Sequence, residues 1–187
     1  MSENPHNLNP HNLRTTNCYI TTHDEAGNAV FYRKPEEVAM KQIGPALFSV
    51  LFTTSTFPHD FTGDQDVESF LNYKGIVPVS MPNGTVVRIV DLAPGESSPM
   101  HRTTSLDYGV VLEGEVLLIL DDVENGPRRL MKRGDVSVQR GTNHMWRNPS
   151  KDTWSRMLYV LVDAKPVVVN GKVLPDHGVG EIHMPEQ

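Results

Sequence analysis

From Thr85 onward, apolar and polar positions alternate in short runs: TVVRIVDL, YGVVLEGEVLLIL, RRLMKR, DVSVQR, SRMLYVLVD and PVVVNGKVL. Turn residues separate them, among them Pro94-Gly95, Asn125-Gly126 and Arg133-Gly134. A period of two with many valines predicts strands, because a β-branched side chain suits a pleated, half-buried surface. Several such strands at regular spacing predict an antiparallel sandwich or barrel over residues 85–163. Upstream, CYITTHDEAGNAVFY predicts two short strands about an Ala-Gly-Asn turn. Two short helices are predicted between these regions. The first has Pro35 in its first turn and Glu36 and Glu37 at its positive end, and stops at Gly44 and Pro45. The second runs from Asp64 to Asn72, with Asp64 as cap, Val67, Phe70 and Leu71 at i, i+3 and i+4, and Gly75 closing it.

The first sixteen residues break this patterning. NPHNL occurs twice in tandem, Asn4–Leu8 and Asn9–Leu13. Asparagine and proline at that density favour turns. Residues 1–16 are expected to be a flexible or partner-draped arm, and residues 17–187 a single domain. His6 and His11 sit in the repeat, where composition alone raises metal binding as an alternative.

Composition removes several function classes. A chain of 187 residues suits one domain, and its core needs no disulfide. The single cysteine, Cys18, cannot form an internal bridge and reads as a small buried hydrophobe. Seventeen basic against 23 acidic residues, net charge −6, provide no concentrated basic surface for nucleic acid. No apolar run approaches the roughly 18 residues of a membrane span. The N-terminus has no apolar stretch of the secretory kind, so the cytosol is the default compartment.

The chemistry-bearing stretch is Gly95 to Asn148. Gly95, His101, Thr103, Asp107 and Gly114 follow G-x5-H-x-T-x3-D-x6-G, and Gly141, His144 and Asn148 follow G-x2-H-x3-N. These blocks resemble the two motifs of the cupin superfamily. The first matches in spacing throughout. The second is one residue short after Gly134, and Gln139 stands where proline is usual. The flanking sequence is similar to small single-cupin proteins of bacteria and fungi. The resemblance implies an all-β double-stranded β-helix, a jelly-roll barrel closed around a small pocket, with the short helices N-terminal to it. It also implies a homodimer.

A period of two sets which side chains could share that pocket. If Asp107 faces inward, so do Gly109 and Val111, while Tyr108 and Val110 face outward. His144 would share its face with Trp146 and Asn148, and His101 with Thr103. Two imidazoles and a carboxylate are the donors of a 2-His-1-carboxylate site, which suits Fe, Mn, Ni or Zn. Metal-binding cupins usually offer three histidines and a glutamate. Thr103 replaces the second histidine here, and Asp107 is one methylene shorter than glutamate. One divalent metal on His101, Asp107 and His144, or no metal at all, therefore both remain open.

Without a metal, the same three residues could act as general acid and base, with Thr103 positioning substrate. Arg88 could clamp a substrate carboxylate or lie on the surface. Trp146 and Asn148 complete the expected substrate contacts, and Trp146 is equally explained as a core aromatic. His23 and Asp24 read as turn residues, His59, His177 and His183 as solvated. Three functions compete. One is a lyase, a dehydratase or decarboxylase, acting on a small organic acid or polyketide-like metabolite. The second is an iron-dependent tailoring oxidoreductase. The third is a non-catalytic ligand binder.

Overall fold

The structure is a computed structural model that describes residues 13–32, 37–74 and 76–178. The strands in chain order are β1 (Thr21–His23), β2 (Ala29–Phe31), β3 (Lys41–Ile43), β4 (Ala46–Thr54), β5 (Thr85–Leu92), β6 (Ser105–Glu113) and β7 (Glu115–Leu120). They continue with β8 (Arg128–Lys132), β9 (Val136–Arg140), β10 (His144–Arg147), β11 (Ser155–Asp163), β12 (Val167–Val169) and β13 (Lys172–Leu174). One short helix, α1 (Gln65–Leu71), follows a 3₁₀ turn at Thr62–Asp64.

Among the described residues the fold is thus all-β with one short α-helix. A six-stranded antiparallel sheet has the order β3-β4-β5-β11-β6-β9, and a three-stranded one the order β10-β7-β8. Bridges Ser97↔Arg147 and His101↔His144 lay the segment 97–101 beside β10. The hairpins β1-β2 and β12-β13 stand apart.

The space between the two sheets is the core. Val111 of β6 and Met157 of β11 pack there against Val116 of β7, Met131 of β8 and Trp146 of β10. A second cluster joins Val86 and Leu161 to Val77, Val79 and Met81 of the loop before β5. YGVVLEGEVLLIL divides into two strands rather than one. Gly114, at φ +71°, turns the chain from the large sheet into the small one. A Cβ at Gly114 would lie 3.0 Å from the carbonyl oxygen of Trp154, so the crossing itself is tight.

Three local expectations are corrected. No helix precedes Gly44 among the described residues, since Lys41–Ile43 is a strand paired with Phe48, Leu47 and Ala46. The hairpin pairs the backbone of this segment with the apolar strand β4. That strand, Ala46–Thr54, was not expected at all. Asp64 precedes α1 but does not cap it, being left-handed at φ 55° with no hydrogen bond to the helix. Its carboxylate accepts instead from the Thr22 hydroxyl, tying α1 to the β1-β2 hairpin. Val67 and Phe70 are buried, Leu71 is exposed, and Gly75 lies outside the described residues.

Of the expected arm, residues 1–12, with the NPHNL repeat, lie outside the described residues. Its last residues are held. Arg156 forms a bidentate pair with Asp91 (2.6 and 2.5 Å), and both side chains are buried. The remaining guanidinium nitrogen donates to the carbonyl of Arg14 and the hydroxyl of Thr16. One buried cation thus joins β5, β11 and the N-terminal segment.

Candidate functional site

A cavity of about 540 Å³ lies between the sheets. That size suits a small organic ligand. His101, Thr103, Asp107, His144, Arg88 and Trp146 all line it. Phe48, Val90, Leu92, Met157 and Leu161 make much of the wall apolar.

The two histidines come together through the backbone. His101 and His144 exchange N–H···O bonds of 2.8 Å in both directions. Directly opposed residues of an antiparallel pair point to one face. Their rings lie 4.2 Å apart, inclined at 51°. Each ring is fixed the same way, with Nδ1 2.9 Å from the carbonyl two residues earlier, Pro99 for His101 and Thr142 for His144. A carbonyl only accepts, so each Nδ1 carries the hydrogen and each Nε2 keeps a lone pair. Burial, then the neighbouring His101, pushes His144 down to about 3. Burial also lowers His101, helped by the charges of Arg88 and His177 and opposed by the bond to Pro99. Both imidazoles are neutral acceptors near neutral pH.

Asp107 belongs to a different local network. Ser105 Oγ donates to Oδ1 at 2.5 Å and Thr103 Oγ1 to Oδ2 at 3.4 Å. Burial raises the Asp107 carboxyl, while the Ser105 bond, the Arg88 charge and the Thr103 bond pull it back. Arg88 on β5 is 5% exposed and donates to the Val79 carbonyl. Burial lowers Arg88 to about 10, and Asp107 opposes the shift. It remains a cation at neutral pH.

The expected metal set is not assembled. Among the described residues, no group of three or more His, Cys, Asp and Glu is placed to hold a metal ion. Two imidazoles share a face, but the Asp107 carboxylate accepts from two hydroxyls. The three donors His101, Asp107 and His144 are thus not grouped around one metal position among the described residues.

Asn148 is corrected from substrate contact to staple. It is fully buried, and its amide donates to the carbonyls of Leu92 (3.0 Å) and Thr153 (2.8 Å) while its oxygen accepts from the Ser150 N–H (3.0 Å). Asn148 is absent from the cavity wall because closing the 148–153 turn engages both ends of its amide. Trp146 serves both its readings, packing in the core cluster and facing the cavity edge-on to His144 at 5.6 Å. Asp24 closes the β1-β2 turn by accepting from the N–H groups of Ala26 and Asn28. His177 is exposed, yet its backbone pairs with Arg102 beside His101. Among the described residues, no helix is long and apolar enough to cross a membrane.

Sequence reasoning missed Tyr159. It lines the cavity from β11, opposite Arg88 of β5 on one side and Gly109 of β6 on the other. The signal available was the period in SRMLYVLVD, where Met157, Tyr159 and Leu161 alternate onto one face. Only the strand pairing shows that this face meets Arg88.

The Cupin domain family matches residues 88–161, which hold both motif blocks and the lining strands. The chain is 46% identical over 165 residues to the "Phomopsin biosynthesis cluster protein C'" of Diaporthe leptostromiformis, covering 87% of this chain and 86% of that protein. It is 45% identical over 167 residues to the "Oryzines biosynthesis cluster protein J" of Aspergillus oryzae, covering 88% and 91%. It is 42% identical over 164 residues to the "Cupin-domain-containing oxidoreductase srdB" of Neurospora crassa, covering 87% and 81%. The chain therefore belongs to the cupin superfamily. Within it, the chain is related to fungal cupin-domain proteins named as oxidoreductases or as members of biosynthesis clusters.

Proposed function

We propose that the chain is a tailoring enzyme of secondary metabolism, working by oxidoreductase-type chemistry on a small, largely apolar molecule held inside a jelly-roll barrel. The observation that carries this reading is the cavity itself, where two neutral imidazoles, a buried guanidinium and a buried carboxyl share an otherwise apolar wall. The relatives named as oxidoreductases favour redox over elimination. In this reading a substrate hydroxyl gives its proton to Nε2 of His101 or His144. Arg88 stabilises negative charge on a substrate oxygen. Trp146 and Phe48 hold the apolar body, and Thr103 orients a polar substituent. These side chains supply the proton transfer and the charge stabilisation, and the electrons of the redox step pass to a separate co-substrate oxidant. The homodimer implied by the family resemblance belongs to the same proposal, and sedimentation analysis tests it.

The second reading, a dehydratase or decarboxylase, is favoured by one observation: two neutral imidazoles and a carboxyl raised by burial share the cavity lining and suit proton transfer. Disrupting the gene in its source organism separates the two. An accumulated precursor that differs from the lost product by hydrogens or by oxygen supports the redox reading. A difference of water or carbon dioxide supports the lyase. An unchanged profile, with a purified protein that binds a metabolite and does not convert it, leaves the non-catalytic binder.

A further inference from the structure

Tyr159, on the large sheet, ends a row of rings that continues on the small sheet across the cavity. It lies edge-on to Trp146 at 5.4 Å, Trp146 edge-on to His144 at 5.6 Å, and His144 beside His101 at 4.2 Å. Its place depends on a missing side chain. A Cβ on the facing Gly109 would lie 2.7 Å from Ser137 Oγ, 3.2 Å from Tyr159 Cε1 and 3.3 Å from Met157 Cε. Glycine at position 109 makes room for the tyrosine ring against the sheet.

The hydroxyl is the informative atom. Among the described residues no hydrogen bond from it to the protein is seen, and Tyr159 is half-buried in the lining of the cavity. Burial holds it well above its ordinary value, and the charges of Arg88 and Asp107 both reach it with opposite effect. The group is therefore a protonated donor with no acceptor, beside a cation, in the wall of a cavity. His101 and His144 present the opposite deficit, each with an Nε2 lone pair and no hydrogen to offer.

We propose that Tyr159 contacts the substrate, its hydroxyl donating to a carbonyl or anionic oxygen of the bound molecule while the histidine Nε2 atoms accept from a hydroxyl group. The inference rests on the cavity being the substrate site, and it narrows the substrate class to an apolar body bearing both an acceptor oxygen and a hydroxyl. Neither a pure hydrocarbon nor a simple ether would use both halves of the site.

The test uses 4-nitrophenol, whose ionisation is visible in its absorbance, and 4-nitroanisole, its ether counterpart without the hydroxyl. Binding to the full chain is followed by tryptophan fluorescence. Tyr159→Phe keeps the ring and removes the donor. It is expected to weaken 4-nitrophenol about tenfold, one hydrogen bond to a charged acceptor, and 4-nitroanisole less than about twofold. The bound phenol should also ionise at higher pH in the variant. Gly109→Ala, which keeps the hydroxyl and displaces the ring, should show the same selective loss, and it stands in if Tyr159→Phe fails to fold. Equal binding of 4-nitrophenol by wild type and Tyr159→Phe overturns the proposal and leaves the cavity reading intact. Equal loss of both probes also overturns it, since the ring would then only shape the wall. Failure of the wild-type chain to bind either probe overturns the proposal together with the cavity reading.

Discussion

Strands β6 and β9 carry two faces of opposite character. Inward, Ser105, Asp107, Ser137 and Gln139 are all buried. Outward on the same strands, Tyr108, Val136 and Val138 are 40%, 58% and 54% exposed. The usual rule, apolar in and polar out, is reversed residue by residue along VSVQR and SLDYG. Register explains how the reversal is kept. Asp107 pairs with Gln139 and Gly109 with Ser137, and a one-residue slip would exchange the faces. The polar groups of the inner face bond one another, Ser105 and Thr103 to Asp107 and Thr142 to Gln139, and of these Thr103 and Asp107 line the cavity. A buried polar side chain is tolerated when its bonds are made, as at Asp107, whereas at Gln139 only the oxygen is bonded and Nε2 has no partner among the described residues. On β6 and β9 polarity therefore faces inward, and hydrophobicity alone does not mark the buried side.

The comparison can be broken most severely on the outer face, where polarity is buried too. Arg156→Met removes the partner of the buried Asp91 carboxylate and the anchor of Arg14 and Thr16. Chemical denaturation should show a loss of about 3–5 kcal/mol. Adding Asp91→Leu to the same chain should recover most of it, because an apolar pair leaves no uncompensated charge. A single variant as stable as wild type would show that the pair does not hold the segment.

On the inner face the pH dependence has a definite sign. His144 titrates at about 3 in the folded chain against 6.5 when exposed, so the unfolded chain binds the extra proton between those values. Stability contributed by the neutral ring is complete above about pH 6.5 and is lost as pH falls toward 3. The loss is on the order of 4 kcal/mol for this residue. His144→Gln should flatten that part of the acid-unfolding curve. His144→Ala should cut turnover about 10²-fold, the lower end of a general acid-base contribution, measured on the substrate that gene disruption identifies.

How far the sequence could be read follows from the same reversal. The valine-rich runs revealed most strands, and glycine and histidine spacing revealed the family, because turns and side-chain period are local properties. Spacing picked out His101, Thr103, Asp107 and His144, which line the cavity, whereas parity left Arg88 open between cavity and surface and Trp146 between cavity and core. Tyr159 was not picked out, because its neighbours Arg88 and Gly109 lie far away in sequence and meet it only through the pairing of β11 with β5 and β6. Asn148 misled for the reverse reason. Its motif position marked it, but its bonds go to Leu92, Ser150 and Thr153. The strand β4 was hidden by Gly44-Pro45, which read as the end of a helix and is the turn of the β3-β4 hairpin.

The smallest expected effect sharpens the comparison from the exposed side. Val138 is on an outward position of an edge strand, with its polar neighbours Ser137 and Gln139 turned inward. In Val138→Glu the carboxylate enters water and meets no buried group, so unfolding free energy should change by no more than about 0.5 kcal/mol. Ligand binding in the cavity should not change, because the backbone of β9 keeps its bonds to β6 whatever side chain points outward. Ser137→Val, one residue away, is the matched inward change. It removes the hydroxyl that donates to the Gly109 carbonyl and adds bulk in a buried position beside Gly109, so it should cost about 1–3 kcal/mol and alter probe binding. Parallel denaturation curves of the two variants decide the matter. If Val138→Glu is the more damaging of the pair, the face assigned to solvent is packed against something, and the reversed reading of these strands fails.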